Sequence, residues 1–195
     1  MEQVGTMDST ERILIDGCAR GDSGALAEVV RIYGAGVLGY LTKMCGRDQA
    51  EDLFQETFKR VYEKAGTIRG ARLKPWLYAV ATRLAMDSMR KKKKFKFVPF
   101  GGSRDCDGPE AMIADDKSDP ADETLKAERK ELVRDSLMGL PERMRATIMM
   151  AYYEGLSYAE IAECMGCSVG TVKTQMFRAL QILADKLPDP DGDGV

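Results

Sequence analysis

The chain has 195 residues, 44% of them hydrophobic, and a formal net charge of −2. That length holds one medium domain or two small ones, and that apolar content excludes a wholly disordered protein. The sequence contains no His, which removes the commonest general base and the commonest zinc partner. No catalytic residue, metal site or cofactor is therefore expected. Cys18, Cys45, Cys106, Cys164 and Cys167 are odd in number and scattered, a pattern that suits reduced thiols better than a disulfide framework. No apolar run approaches the roughly 18 residues of a membrane span, and MEQVGTMDSTER lacks the basic-then-apolar order of a signal peptide. A cytoplasmic protein without membrane insertion is expected.

The small net charge conceals an uneven distribution. Lys and Arg crowd into residues 69–96, while Asp and Glu crowd into residues 105–123.

Helical patterns fill the first half. Residues 10–20 form a candidate first helix. A longer one follows over 22–44, capped by Asp22 and carrying Leu26, Val29, Val30, Tyr33, Val37 and Leu41. Gly34, Gly36 and Gly39 weaken it intrinsically by about 1 kcal/mol each, which a close helix crossing would explain. Asp48, with Glu51 three residues on, predicts a capping box for a third helix through Ala65. Its buried stripe is Phe54, Phe58, Val61, Tyr62 and Ala65, leaving Asp52, Gln55, Glu56 and Lys59 together on the opposite side. After a Gly- and Arg-rich loop, Pro75 fits the first turn of a fourth helix that packs through Trp76, Leu77, Val80, Ala81, Leu84 and Met89. It ends in RKKKKFKF. Lys runs are most often solvated helix ends, but Arg83 extends the basic character back along the helix. Phe95 and Phe97 interleave with it, as in segments that track nucleic-acid phosphates.

Residues 98–122 read as a flexible acidic linker, rich in Gly, Pro and Asp. Beyond it come a helix to about Met138 and a helix from Pro141 through Glu154. Ile148, Ala151, Tyr152, Leu156 and Ile161 can close a small core with Leu180 and Leu183.

The last part, GLSYAEIAECMGCSVGTVKTQMFRALQIL, reads as a helix-turn-helix. Ser157 and Glu160 predict a capping box, Gly166 a left-handed turn residue, and Ser168 the cap of a second helix. That helix has Val172, Met176, Ala179, Leu180 and Leu183 on one face, so Lys173, Thr174, Phe177 and Arg178 point outward. An aromatic on the polar face suits a thymine methyl, and the cations suit guanine edges or phosphates. Cys164-Met-Gly-Cys167 has metal or redox spacing, but small semi-apolar side chains in such a turn are often simply buried. The tail DPDGDGV resembles the opening of a calcium loop and ends before the required Glu. The fold class expected is all-α: two small helical domains joined by a flexible acidic linker, the C-terminal one containing the helix-turn-helix.

AEDLFQETFKRVY at 50–62, LKPWLYAVATRLAMDSMRKKK from Leu73 and GLSYAEIAECMGCSVGTVKTQMFRA from Gly155 occur in the order found in one family. The chain resembles the extracytoplasmic-function (ECF) subfamily of sigma-70 RNA polymerase sigma factors, from about Arg20 to Leu187. The resemblance implies a bacterial promoter-specificity subunit that binds core RNA polymerase and promoter DNA, and a possible anti-sigma factor as a third partner. It divides the chain into a region 2 domain (10–97), the linker (98–122) and a region 4 domain (123–187). By position, Asp52, Gln55, Glu56 and Lys59 would contact core polymerase. Arg69, Arg72, Lys74, Trp76, Arg83, Asp87, Arg90 and Lys91 would hold the melted minus-ten element. Ser168, Thr171, Lys173, Thr174, Phe177 and Arg178 would read the duplex minus-thirty-five element. Arg83 stands where relatives usually carry Asn, and Leu73 where Phe is common, departures that bear on the minus-ten sequence recognised. The rival readings are an autonomous two-domain helix-turn-helix regulator and an anionic-membrane anchor built on the Lys-rich helix.

Overall fold

The computed structural model describes residues 9–68, 72–96 and 131–187, with the side chains of residues 93–96 left aside. Every element among them is helical. The first half contains α1 (Ser9–Ala19), α2 (Ser23–Cys45), α3 (Arg47–Lys64), a 3-10 turn (Ala65–Thr67) and α4 (Leu73–Lys96). In the second half, α5 covers residues 131–138. It is followed by α6 (Glu142–Ile148), a π-helical turn (Met149–Tyr153), α7 (Tyr158–Met165) and α8 (Val169–Ala184). The expected linker and the calcium-loop-like tail lie outside the described residues.

The start of α2 follows its sequence signal: Asp22 Oδ1 accepts from the backbone N–H of Gly24 at 2.8 Å and of Ala25 at 3.4 Å. Val29, Val37, Tyr40, Leu41 and Met44 make this helix the centre of the first half. By length and a mean hydropathy of 1.2, α2 could cross a membrane, which corrects the expectation that no segment comes near that limit. Glu28 and Arg31 break up the run by eye but do not lower the average of its best 18 residues enough. The helix spends its apolar face on the core. The Phe54 ring stands 3.6 Å from where a Cβ of Gly34 would be, and nothing lies within 4 Å of the corresponding point at Gly39. The Gly34 distance is an ordinary contact that a methyl would tolerate, whereas a Cβ at Gly36 would stand 2.8 Å from the Tyr78 hydroxyl, so close crossing accounts for Gly36 and not for Gly34 or Gly39.

The expected Asp48 cap is not formed. The third helix begins at Arg47, directly after Gly46, whose φ of 86° makes a left-handed joint between α2 and α3. Asp48 becomes a first-turn residue, where its charge still suits the helix N-terminus. Phe58 and Val61 are buried as expected, but Tyr62 is 47% exposed, with its hydroxyl over the Gly21 turn.

The two halves share one apolar core. Leu73, Leu77 and Tyr78 of α4 belong to the same buried cluster as Met149, Met150, Ile161 and Cys164. Two expected core residues lie elsewhere: Tyr152 is 66% exposed and Leu180 41% exposed. The π turn fits an extra residue into one revolution, which buries Met149 and Met150 side by side and turns Tyr152 outward. Helix α8 buries the narrower stripe Val172, Met176 and Ala179, so Leu180 falls beyond its edge.

Candidate nucleic-acid and partner interfaces

Local chemistry fixes the helix-turn-helix. Ser157 Oγ accepts from the Glu160 backbone N–H at 3.3 Å, while the Ser157 N–H donates to Glu160 Oε2 at 2.8 Å, completing the capping box. Gly166 ends α7 in the left-handed region at φ 60°, ψ 46°. Ser168 Oγ then accepts from the Thr171 N–H at 3.1 Å and starts α8. Ala162 and Val172 are buried at the crossing.

This frame leaves Ser168, Thr171, Lys173, Thr174, Phe177 and Arg178 exposed along α8. Phe177 is 63% exposed, far from any core role. The Thr174 hydroxyl donates to the Gly170 carbonyl at 3.0 Å, which leaves its methyl and oxygen lone pairs outward. Sequence reasoning missed the support beneath. Buried Thr147 of α6 has its hydroxyl 2.9 Å from the Arg143 carbonyl and 2.9 Å from Gln175 Oε1, tying α6 to α8. A lone Thr amid the apolar residues of α6 was the only signal.

On α3, Asp52, Gln55 and Lys59 are exposed, and Glu56 beside them is half-buried. Glu56 accepts from Arg60 Nε at 3.0 Å, and Lys59 lies 3.8 Å from Glu63. These are solvated intrahelical pairs of small energetic weight, open to exchange with a partner.

The expected minus-ten group divides in two. Arg83, Asp87, Arg90 and Lys91 are exposed at helical spacing along α4, with Asp87 3.3 Å from Arg90. Trp76 is half-buried against the core, as an anchor of α4 would be. Arg72 and Lys74, by contrast, face the second half. Arg72 Nη1 donates to Glu160 Oε1 at 2.7 Å, and Lys74 Nζ lies 3.7 Å from Glu154 Oε2. Arg69 lies outside the described residues.

The seam between the halves is polar at its margins. Lys43 Nζ sits 3.9 Å from the centre of the Tyr153 ring, and the Cys164 thiol donates to the Pro75 carbonyl at 3.0 Å. Burial, with the Glu160 and Glu163 charges behind it, pushes the Cys164 thiol up to about 12. Cys167 is half-buried. Tyr40 and Thr82 share a buried hydrogen bond of 2.6 Å, and the Tyr40 and Tyr78 rings meet edge-on at 5.3 Å.

Residues 29–95 match the family described as Sigma-70 region 2, and residues 130–183 match Sigma-70, region 4. The ECF RNA polymerase sigma-E factor of Haemophilus influenzae is 30% identical over 191 residues, covering 91% of this chain and 95% of that one. The chain belongs to the ECF sigma factors. The ECF RNA polymerase sigma factor SigW of Bacillus subtilis is 31% identical over 174 residues, 87% of this sigma factor and 92% of SigW.

Two solved structures share the fold. CnrH, in complex with the cytosolic domain of CnrY, has a TM-score of 0.64 at 20% identity, over 95% of this chain and all (100%) of that one. Sigma factor RpoE of Bartonella quintana, in complex with the anti-sigma factor NepR, has a TM-score of 0.65 at 22% identity, over 82% and 94%. This sigma factor is a promoter-specificity subunit of RNA polymerase, with core polymerase and promoter DNA as its partners. The autonomous-regulator reading is not favoured, because the half it would use for sensing or dimerising is the one that matches region 2.

Proposed function

We propose that this sigma factor divides promoter recognition between its halves and does no chemistry of its own. Residues 123–187 act as the region 4 domain, reading the duplex minus-thirty-five element through Ser168, Thr171, Lys173, Thr174, Phe177 and Arg178. The observation that carries this is the outward face of α8, where an exposed aromatic stands between two cations on a helix capped at its start. Residues 10–97 act as the region 2 domain. In it Asp52, Gln55, Glu56 and Lys59 bind core polymerase. Arg69, Arg72, Lys74, Arg83, Asp87, Arg90 and Lys91 hold the melted minus-ten strand, with Trp76 bracing their helix from within. Holding an unpaired strand assists melting, since captured bases no longer re-pair. Residues 98–122 serve as the acidic linker between the domains. The work is done in the bacterial cytoplasm, where polymerase and promoter meet. The anti-sigma partner named for the Bartonella quintana relative supports proposing an anti-sigma factor here too.

Run-off transcription with core polymerase tests the reading. The chain should bind promoter DNA poorly alone and direct initiation only with core enzyme. Arg178→Ala with Lys173→Ala should abolish the dependence on the upstream element while leaving polymerase binding intact. Unchanged promoter preference in that variant would overturn the assignment of α8.

A further inference from the structure

Beneath the reading face of α8, one buried hydroxyl fixes which way an amide points. Thr147 is fully buried, and its hydroxyl oxygen stands 2.9 Å from the Arg143 carbonyl, 2.9 Å from the Gln175 side-chain amide and 3.4 Å from Met165 Sδ. A hydroxyl has one proton to give and lone pairs with which to accept. The Arg143 carbonyl only accepts, so the proton lies on that line. Two oxygens 2.9 Å apart with no proton between them repel, whereas an amide turned over offers a donor at the same place. Gln175 Nε2 therefore donates to the Thr147 hydroxyl, which donates in turn to the Arg143 carbonyl, and each group is satisfied.

That bond also decides what is left over. Gln175 is half-buried on the flank of α8, four residues after Thr171 and three before Arg178, spacings that put all three on one side of the helix. Both neighbours belong to the set assigned above to the upstream promoter element. No other hydrogen bond among the described residues reaches the amide. Its Oε1 and its second N–H remain free, one acceptor beside one donor.

We propose that Gln175 reads an adenine of the minus-thirty-five element, with Thr147 as its positioning residue. The proposal rests on the assignment of α8 to that element. In the major groove adenine presents a donor at N6 beside an acceptor at N7, the complement of the free amide edge. Guanine presents two acceptors there, cytosine a donor alone, and thymine an acceptor and a methyl, so none of them uses both amide atoms. A phosphate only accepts, and would meet the nitrogen with Oε1 left unused. Thr147 holds the amide in its reading orientation before DNA arrives, which lowers the ordering cost of the contact.

The test uses the holoenzyme and a library built on a promoter found by run-off transcription, with its upstream element randomised and the transcripts sequenced. Gln175→Met keeps a side chain of similar length without the amide. It should erase an adenine preference of about tenfold at one base pair and leave the preferences at the other positions. Thr147→Val removes the hydroxyl at nearly constant volume and should weaken the same preference to about threefold, and Thr147→Ser should restore it. If circular dichroism finds Gln175→Met unfolded, Gln175→Asn is read in its place, since its amide is one methylene too short to hold Thr147 and a base together.

A residue that merely braces α8 would not move a base preference. Equal loss of transcription from every library member in Gln175→Met, or relaxation at a position where the favoured base is not adenine, overturns the proposal. A preference untouched by Thr147→Val overturns its positioning role. Lys173→Ala with Arg178→Ala, run on the same library, tells which idea has failed. Preferences lost there but all kept in Gln175→Met sink the role of Gln175 alone. Preferences unchanged there remove the assignment of α8, and the adenine contact with it.

Discussion

Arg145 of α6 donates from Nη1 to the Met44 carbonyl oxygen at 2.9 Å, placing a cation from the second half against the C-terminal end of α2. Met44 lies in the last turn of α2, where carbonyls lack helical partners and the helix dipole is negative. The same guanidinium donates from Nη2 to the carbonyls of Met138 at 3.1 Å and Leu140 at 3.2 Å. One side chain thus serves α2, α5 and the turn before α6.

Replacing it should be costly. Arg145 is only 7% exposed, and Arg145→Ala leaves buried carbonyls unpaired and a void beneath α6. A loss of about 3 kcal/mol is expected. Urea denaturation followed by circular dichroism measures it. Arg145→Lys should recover part of the loss, since an ammonium keeps the charge but cannot reach in two directions as the planar fork does.

Gly166→Ala isolates a backbone effect. No atom lies within 4 Å of where the new Cβ would stand, so the cost comes from the left-handed φ of 60° alone. It should be about 1 kcal/mol of stability. The same melts serve as readout, with promoter-dependent transcription retained at temperatures where the variant stays folded.

Phe177→Ala should leave stability within about 0.5 kcal/mol of wild type, because the ring buries little in the free protein. Promoter affinity of the holoenzyme should fall about fivefold, the weight of one apolar base contact near 1 kcal/mol. Filter binding with the holoenzyme checks it. A stability loss in place of the affinity loss would mean that the ring packs inward.

Alkaline pH should destabilise the fold, starting near pH 9. Burial pushes the Cys45 thiol up to about 11 and the Cys164 thiol up to about 12, from an ordinary value of 9.0. Between 9 and those values the unfolded chain gives up thiol protons that the folded chain keeps. The unfolded state then binds fewer protons, and stability falls as pH rises. The stabilisation is complete below pH 9 and erodes on the order of 1 kcal/mol per thiol by pH 10. Buried Tyr40 and Tyr78, both raised by burial, extend the decline in the same direction. Urea midpoints from pH 7 to 10.5 follow the slope, and Cys164→Ala should make it shallower.

Features governed by neighbouring residues were legible in the sequence. The Asp22 cap, the Ser157–Glu160 box, Gly166 and the Ser168 cap each depend on a few adjacent residues, and each formed as expected. The outward set on α8 followed from periodicity alone. Asp48 was misread because a capping signal cannot tell that Gly46 already turns the chain two residues sooner. Tyr78 was left out of the expected core, and Arg72 and Lys74 were expected to be open. In each case the deciding partner, Glu154 or Glu160, is 76 or more residues away in the sequence, and no local pattern carries that information. Tyr152 was misplaced because a regular helical period was applied across a π turn.

Gly36 gains a particular meaning from its position on α2. A Cβ there would stand 2.8 Å from the Tyr78 hydroxyl and 3.3 Å from Glu154 Oε2. A single methyl would press on the α4 ring and on the carboxylate of the loop after the π turn, disturbing a group that stands 3.7 Å from Lys74 Nζ. The missing side chain at this one helical position thus works as a built-in clearance, letting one ring and one carboxylate from distant parts of the chain share a single notch in α2.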